Sequence, residues 1–489
     1  MDQQLKILLV AAELTPLAKV GGLADVIGSL PKALADLNID VRIALPKYGI
    51  IDLTKYPCQK KVEGLTLDFD GQRETFDLWE TALPGASPHK NYHIPVYLID
   101  HPKFLGTGGI YPAPDASSQG SDFEARRFGF FSQAVLKIFQ PLKWAPDVIH
   151  CHDWHTAMLP ALTKLTDNPR PTLLTIHNLA YQGDFAADLV LNMFGPKLDS
   201  LATIQQRLNV AETINFLEQG ILNADLLNTV SPSYAAEILT AEFGCGLEKP
   251  LDRRRPQLSG ILNGLDVERF NPQTDTEINH NFLADNLVGK TRNKKALQAA
   301  GRLRLGADIP LIGMVSRLAE QKGLDILLPI MKKLMKLKAQ FVFLGAGDPS
   351  YEKKLKKLGK KKNVFVDIGF NAKLAQLIYA GSDMFLMPSK FEPCGLGQMI
   401  SMRYGTLPIV RATGGLKDTV KEINAQSGTG FTFTAYNQQA LYKTITAAIN
   451  LYSTDQTVWQ RAVKEAMNQN FSWANSAKKY LELYNKLTA

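Results

Sequence analysis

Cysteine is scarce and scattered. The four residues, Cys58, Cys151, Cys245 and Cys394, form no C-x-x-C pair, which argues against a disulfide framework and a zinc knuckle. No apolar run approaches the roughly 20 residues that a membrane span needs. The opening "MDQQLKILLV" has no basic leader, and its apolar run reads as a first strand, so a cytoplasmic protein is expected. No internal repeat or low-complexity segment stands out. Also missing is the dinucleotide fingerprint G-x-G-x-x-G after that first strand, although a glycine turn is there.

What remains is an ordinary globular composition on a long chain. The 489 residues are 45% hydrophobic and 21% charged, enough for two or three domains. Net charge is +8, from 55 Lys+Arg against 47 Asp+Glu, a balance open to nucleic acid, membranes or small phosphates. The densest basic run, "EKKLKKLGKKKN" from Glu352 to Asn363, carries Leu355 and Leu358 at helical spacing and no aromatic platform. It reads as a solvated helix face, and neither nucleic acid nor membrane is expected as a partner.

Strand-like and helical runs alternate along almost the whole chain. "KILLVAAE", "VRIALP", "PVYLID", "DVIHCHD", "TLLTIHN" and "LLNTVSP" are followed by "PLIGMVSR", "QFVFLGAG", "NVFVDIG", "MFLMPS" and "LPIVRAT". Such alternation implies parallel sheets covered by helices on both faces. "VEGLTLDFDGQRETFDLWE" differs, with period-2 patterning about an Asp-Gly turn, and reads as an antiparallel hairpin. Charge and proline break the rhythm near residue 255. We therefore expect an α/β protein with two Rossmann-like doubly wound domains, residues 1–255 and 256–471, and a ligand cleft between them. Residues 472–489 form a last helix whose Trp473, Tyr480, Leu483 and Tyr484 make an apolar stripe, expected to fold back toward the first domain.

Chemistry-bearing residues gather at predicted strand ends. "KVGGLADV" places Lys19 before Gly21 and Gly22, with Asp25 in the helix start; strand, glycine turn and helix make an anion site from backbone N–H groups. "SRLAEQKG" sets Arg317 and Lys322 after a strand, a guanidinium fork beside a point charge for a diphosphate. "FEPCGLGQ" sets Glu392 before Cys394, Gly395, Leu396 and Gly397 at a helix start, where a carboxylate can also be a mere response to the helix dipole. "TGGL", from Thr413, is a second glycine turn. "HCHDWH" looks like a metal cluster, since His150 and His152 share a strand face. Asp153, Trp154 and His155 leave that strand, no matching second group is evident, and packing is the better reading for His150. "DFD", Asp68 to Asp70, mimics a metal–diphosphate motif but runs into Gly71 and reads as the hairpin turn.

Together "KVGGLADV", "HDWH", "TIHNLAYQG", "GILNGLD", "SRLAEQKG", "FEPCGLGQ" and "YGTLPIVRATGGL" occur in the order seen in bacterial glycogen synthases and plant starch synthases. The chain resembles that family from about Lys6 to the last helix. The resemblance implies the GT-B arrangement and transfer of glucose from ADP-glucose to an α-1,4-glucan end with retained configuration. It implies that Lys19, Gly21, Gly22 and Asp25 serve the donor, and that Asp153, Trp154 and His155 shape the glucan side. By the same resemblance His177 lies against the transferred glucose, Asn263 contacts sugar, and Cys394 to Gly397 hold the donor with Arg317, Lys322 and Glu392. No carboxylate stands out as a double-displacement nucleophile, so a front-face mechanism is expected. Arg317 and Lys322 stand in for a metal, and no cofactor is expected.

Two positions depart from the pattern. Phe370 stands where many bacterial relatives have a tyrosine that stacks on adenine, and Gly397 where some have threonine. ADP over UDP therefore comes from the resemblance. The alternatives are a UDP-sugar transferase of the same architecture, a phosphorylase, or an inert glucan-binding protein. The set Lys19, His177, Arg317, Lys322 and Glu392 argues against the last. Oligomeric state is left open.

Overall fold

The computed structural model describes residues 4–83, 93–111, 118–196, 198–209 and 211–489. The chain divides into two compact units: Met1–Val230, Ala235–Gly264 and Trp473–Ala489 form the first, Ser231–Tyr234 and Leu265–Ser472 the second. Among the described residues, no helix is long and apolar enough to cross a membrane.

The strands are β1 (Lys6–Val10), β2 (Asp40–Pro46), β3 (Gln59–Phe69), β4 (Gln72–Ala82), β5 (Pro95–Asp100), β6 (Val148–His152), β7 (Thr172–Ile176), β8 (Asp184–Ala186), β9 (Thr213–Asn215), β10 (Leu226–Thr229) and β11 (Leu258–Gly260) in the first unit. β12 (Leu311–Val315), β13 (Gln340–Gly345), β14 (Val364–Ile368), β15 (Met384–Met387), β16 (Leu407–Arg411) and β17 (Phe431–Phe433) belong to the second. The first sheet runs β11-β10-β7-β6-β1-β2-β5-β4-β3 and the second β14-β13-β12-β15-β16-β17. Apart from the antiparallel β3–β4 and β4–β5 pairs, both sheets are parallel. β1, β6 and β7 bury nearly every residue, as strands covered on both faces must.

In each sheet the chain order reverses at one place. From β1 it steps outward to β2 on one side and later to β6 on the other; from β12 it steps to β13 and later to β15. Doubly wound sheets bind ligands at the carboxyl ends of strands beside such a reversal.

The "DFD" turn closes the β3–β4 hairpin. Asp70 and Gly71 have φ of 53° and 72°, the signs a type I′ turn requires at both central residues. Asp68 pairs with Arg73 at 3.3 Å and Asp70 with Arg126 at 2.8 Å, so both carboxylates are engaged in holding the hairpin.

The division between units falls after Gly264 and not near residue 255. The reason is β11, which still adds a parallel edge strand to the first sheet through Leu227↔Leu258. At the junction Gly264 lies against Trp473, whose Cα would stand 2.6 Å from any added Cβ. The last helix, Trp473–Thr488, buries Trp473, Ala477, Tyr480, Leu483 and Tyr484, the spacing of one helical stripe. It packs on the helix Gly22–Ala35, in one hydrophobic core with Ile7, Leu9, Ile27 and Leu30.

Candidate active site

The first unit's reversal is built by the loop after β1 and the turn after β6. Glu13 is buried, and its Oε2 accepts the N–H groups of Val20 and Gly21, each at 2.7 Å. Its Oε1 accepts the hydroxyl of Tyr111 at 2.6 Å. Burial and that carboxylate push the Tyr111 phenol well above its ordinary range. Glu13 therefore pins the loop that carries Lys19. Lys19 Nζ meets Asp25 Oδ1 at 2.5 Å, with both side chains partly in solvent.

The two glycines of this loop are unlike most others in the chain. An added Cβ at Gly22 would meet nothing within 4 Å, and at Gly21 the Glu13 carboxylate at 3.6 and 4.0 Å, ordinary contact. Gly21 is extended at φ −130°, a conformation open to any residue. Nothing in the protein's own packing demands glycine at either place.

After β6, Asp153 adopts φ 58° and ψ −178°, a region that non-glycine residues enter only when held there. Its N–H donates to Thr175 O at 2.9 Å and its Oδ1 accepts the His177 N–H at 2.6 Å. Asp153 thus ties the ends of β6 and β7 together. Burial pushes its carboxyl up to about 7, against the pull of the backbone N–H groups of His177 and Asn178. Trp154 and His155 are both buried. Trp154 lies among Phe128, Phe185 and Phe216, so its ring packs in the core. Gly183 is glycine for this reason, since a Cβ there would stand 2.3 Å from the indole. His155 packs against Trp154 in a tilted pair with ring centroids 4.1 Å apart, its Nδ1 is buried with no hydrogen-bond partner among the described residues, and burial drives it down to about 3.

His150 of β6 is structural. His150 Nδ1 meets the Tyr484 hydroxyl at 2.8 Å and its Nε2 meets Thr175 Oγ1 at 2.7 Å, and Asn228 donates to Tyr480 at 3.0 Å. The last helix is so locked onto the first sheet by polar as well as apolar contacts. His152 Nδ1 lies 2.9 Å from His177 Nε2. Burial holds His177 down to about 3 and His152 well below its ordinary range, so both rings are neutral. Among the described residues, no group of three or more His, Cys, Asp or Glu is arranged to hold a metal. Asn263 is buried, and its Oδ1 has no hydrogen-bond partner among the described residues, an acceptor that needs a donor from elsewhere.

The second unit's reversal carries charge. After β12, Lys322 Nζ meets Glu392 Oε2 at 2.7 Å, with side chains 17% and 9% exposed. Ser389 donates to the same oxygen at 2.9 Å. The Glu392 carboxylate thus turns to Lys322 and Ser389, while the helix Gly397–Arg403 starts after Leu396 with no side-chain cap. Arg317 donates to Gln321 Oε1 at 3.3 Å, and Gln321 in turn reaches Phe391 O at 3.3 Å. One short network therefore joins the loops after β12 and β15. Arg317 also lines a recess of about 330 Å³ with Gly347, Asp348, Tyr351 and Lys354.

Here the glycines are fixed by the fold. At Gly323, with φ 76°, a Cβ would stand 2.0 Å from Pro388 O. At Gly414 and Gly415 it would run into the carbonyls of Glu392 and Cys394. The "TGGL" turn is therefore the support behind Glu392, and Gly415 donates to the carbonyls of Glu392 and Pro393. Gly395 has φ 73°, and Gln398 holds the turn by donating to Cys394 O and Gly395 O. Phe370 follows β14 on a separate strand end and is 92% exposed.

The sheets, the reversals and these side chains bear comparison with known proteins. A family model described as the starch synthase catalytic domain matches residues 6–253, and one described as glycosyl transferases group 1 matches 301–465. A glycogen synthase of Moorella thermoacetica is 44% identical over 99% of this chain and 97% of its own length. The chain belongs to the starch and glycogen synthase family. A second glycogen synthase, from Geotalea daltonii, is 44% identical over 99% of both chains. The catalytic domain of starch synthase IV from Arabidopsis thaliana, solved with ADP and acarbose, superposes with a TM-score of 0.90 at 34% identity, covering 99% of this chain and 100% of that one. A sucrose-phosphate synthase from Thermosynechococcus elongatus shares the fold, with a TM-score of 0.60 at 18% identity and 99% of both chains covered. The architecture is the GT-B fold of two Rossmann-like domains.

Proposed function

We propose that the chain is a retaining glucosyltransferase of the cytoplasm that moves glucose from ADP-glucose to the non-reducing end of an α-1,4-glucan. Family membership over the full length supports the reaction, and the Lys322–Glu392 pair at a sheet reversal is the observation that carries the chemistry. In this reading Arg317 and Lys322 hold the diphosphate. The bond from the glucose C1 to the diphosphate oxygen breaks, and negative charge grows on that oxygen beside the two cations. The acceptor hydroxyl arrives on the same face, forms the new C1–O bond and gives its proton to the departing diphosphate. No metal is needed in this scheme, because the cations are the protein's own.

Glu392 has two tasks in the proposal. Oε2 fixes the ammonium of Lys322, and Oε1 accepts from glucose hydroxyls. The loop pinned by Glu13 presents Lys19 and the open backbone of Gly21 and Gly22 to the donor. His177 and the unsatisfied Oδ1 of Asn263 supply neutral hydrogen bonds to sugar. Phe370, exposed beside its strand end, is the proposed face for the nucleotide base, which a phenyl ring can stack on as a phenol can.

The test is transfer of labelled glucose into glycogen from ADP-glucose and from UDP-glucose, each with and without EDTA. Efficient transfer from ADP-glucose that survives EDTA is expected. Transfer from UDP-glucose alone would move the chain to another donor, and an absolute need for added magnesium or manganese would overturn the metal-free scheme.

A further inference from the structure

One contact at the first reversal has a consequence for how His177 meets its substrate. His152 and His177 are neutral, so each ring carries one proton, and the 2.9 Å contact between His152 Nδ1 and His177 Nε2 holds one of them. Only two arrangements satisfy this. In one, His152 donates from Nδ1, leaving its Nε2 bare, and His177 accepts at Nε2 and carries its own proton on Nδ1. In the other, His177 donates from Nε2, and His152 must carry its proton on Nε2.

The environment of His152 Nε2 separates the two. That atom is buried with no hydrogen-bond partner among the described residues, and the ring is fully enclosed. It packs against the His150 ring, centroids 4.1 Å apart and tilted by 34°. The second arrangement would seal an N–H there with nothing to accept it. An orphaned buried N–H is the rarer fault in folded proteins, and an acceptor short of a donor the more tolerated one.

We propose that His152 is a positioning residue for transfer, which donates from Nδ1 to His177 Nε2 and so obliges His177 to offer a protonated Nδ1 to the sugar. This deepens the proposed function and rests on its reading of His177 as the group that meets glucose. His152 does not touch substrate in this account. It decides which nitrogen of its neighbour is the donor and holds the ring in place. The surroundings are built for this: Thr156 Oγ1 accepts the His152 backbone N–H at 2.7 Å, and Asp153 grips the His177 backbone at 2.6 Å, so both rings are anchored at their own backbone.

Two experiments test it. The first reads the protons directly, by long-range proton–nitrogen NMR on the full chain labelled with 15N-histidine and assigned with His152→Asn and His177→Asn. A protonated Nδ1 and a bare Nε2 on His177 are expected; the reverse pattern overturns the proposal whatever the kinetics show. The second compares substitutions at His152. Asparagine places its amide near the position of Nδ1, glutamine does not, and leucine removes the donor. His152→Leu should lose about tenfold in kcat, the worth of one hydrogen bond, with donor KM little changed, and His152→Asn should recover most of it while His152→Gln does not. Equal activity in the asparagine, glutamine and leucine variants would contradict a positioning role. Full activity in His177→Ala would instead sink the reading of His177 as a sugar contact, and the NMR pattern would still decide the proton assignment.

Discussion

The two sheet reversals are built from different materials. At the first, the buried polar groups are neutral or shared: imidazoles held uncharged by burial, a carboxyl pushed up to about 7, and a carboxylate spent on backbone N–H groups, while the Lys19–Asp25 ion pair stands partly in solvent. At the second, an ammonium and a carboxylate stand 2.7 Å apart, with a guanidinium one glutamine away. A sugar is recognised by neutral donors and acceptors, and a diphosphate by fixed positive charge. The difference fits the proposed division of labour, in which groups of the first unit supply neutral hydrogen bonds to sugar and those of the second the charge that meets a diphosphate. The glycines say the same. Those of "KVGGL" leave room for a side chain, whereas Gly323, Gly414 and Gly415 are consumed in bringing backbone behind the ion pair.

The contrast breaks most visibly at Lys322. Charge on the diphosphate grows toward the transition state, so Lys322→Ala should lower kcat roughly a hundredfold or more, about 3 kcal/mol, with a smaller change in donor KM. Lys322→Arg should rescue only part of this, because the fork has a different reach. Steady-state kinetics that show only a KM effect would make Lys322 a ground-state anchor. Next in size is Glu392. Taking away its carboxylate leaves a largely buried ammonium without its partner, so Glu392→Ala should lose activity and also about 2 kcal/mol of stability. Glu392→Gln keeps hydrogen bonds to Lys322 and Ser389 and should melt closer to the parent. Equal melting of both variants would show that the pair contributes nothing to the fold.

Smaller effects sharpen the first unit's side. Tyr484→Phe removes the hydroxyl that His150 meets at 2.8 Å and should cost about 1 kcal/mol in denaturant unfolding with kcat unchanged. His155, held neutral down to about 3 against an ordinary 6.5, adds a pH dependence of known sign. The unfolded chain binds a proton near 6.5 that the fold refuses until about 3, so this stability is present above 6.5 and is lost as pH falls. The drop in Tm between pH 7 and pH 5 should therefore be smaller in His155→Phe than in the parent.

Much of this was legible in the sequence where chemistry sits at strand ends. The alternating strand and helix runs, the Asp-Gly hairpin turn and the stripe Trp473, Tyr480, Leu483 and Tyr484 all follow from local spacing, and their elements are in place. What escaped depends on contacts between distant positions. Glu13 ends an apolar strand without marking, and only Tyr111 and the backbone of Val20 and Gly21 show what it holds. His150 meets a tyrosine 334 residues away, a partner that no periodicity announces. Trp154 sits inside a motif of polar residues and looks like a ligand platform, yet the aromatic neighbours that bury it come from other elements. The first unit runs on past the charge and proline of "RRRPQ", because one more edge strand joins the sheet just after that interruption. The resemblance groups Glu392 with Lys322, and their 2.7 Å contact is a tertiary fact that no local spacing announces.

The proposed division of labour is tested by ADP, which carries the diphosphate charge and lacks the glucose. Isothermal titration of ADP into the parent, Lys322→Ala and His177→Ala separates the two sides in one measurement. The account predicts that Lys322→Ala weakens ADP by tenfold or more, about 1.4 kcal/mol, while His177→Ala binds it as the parent does. Unchanged ADP affinity in Lys322→Ala, or an equal loss in His177→Ala, would contradict it.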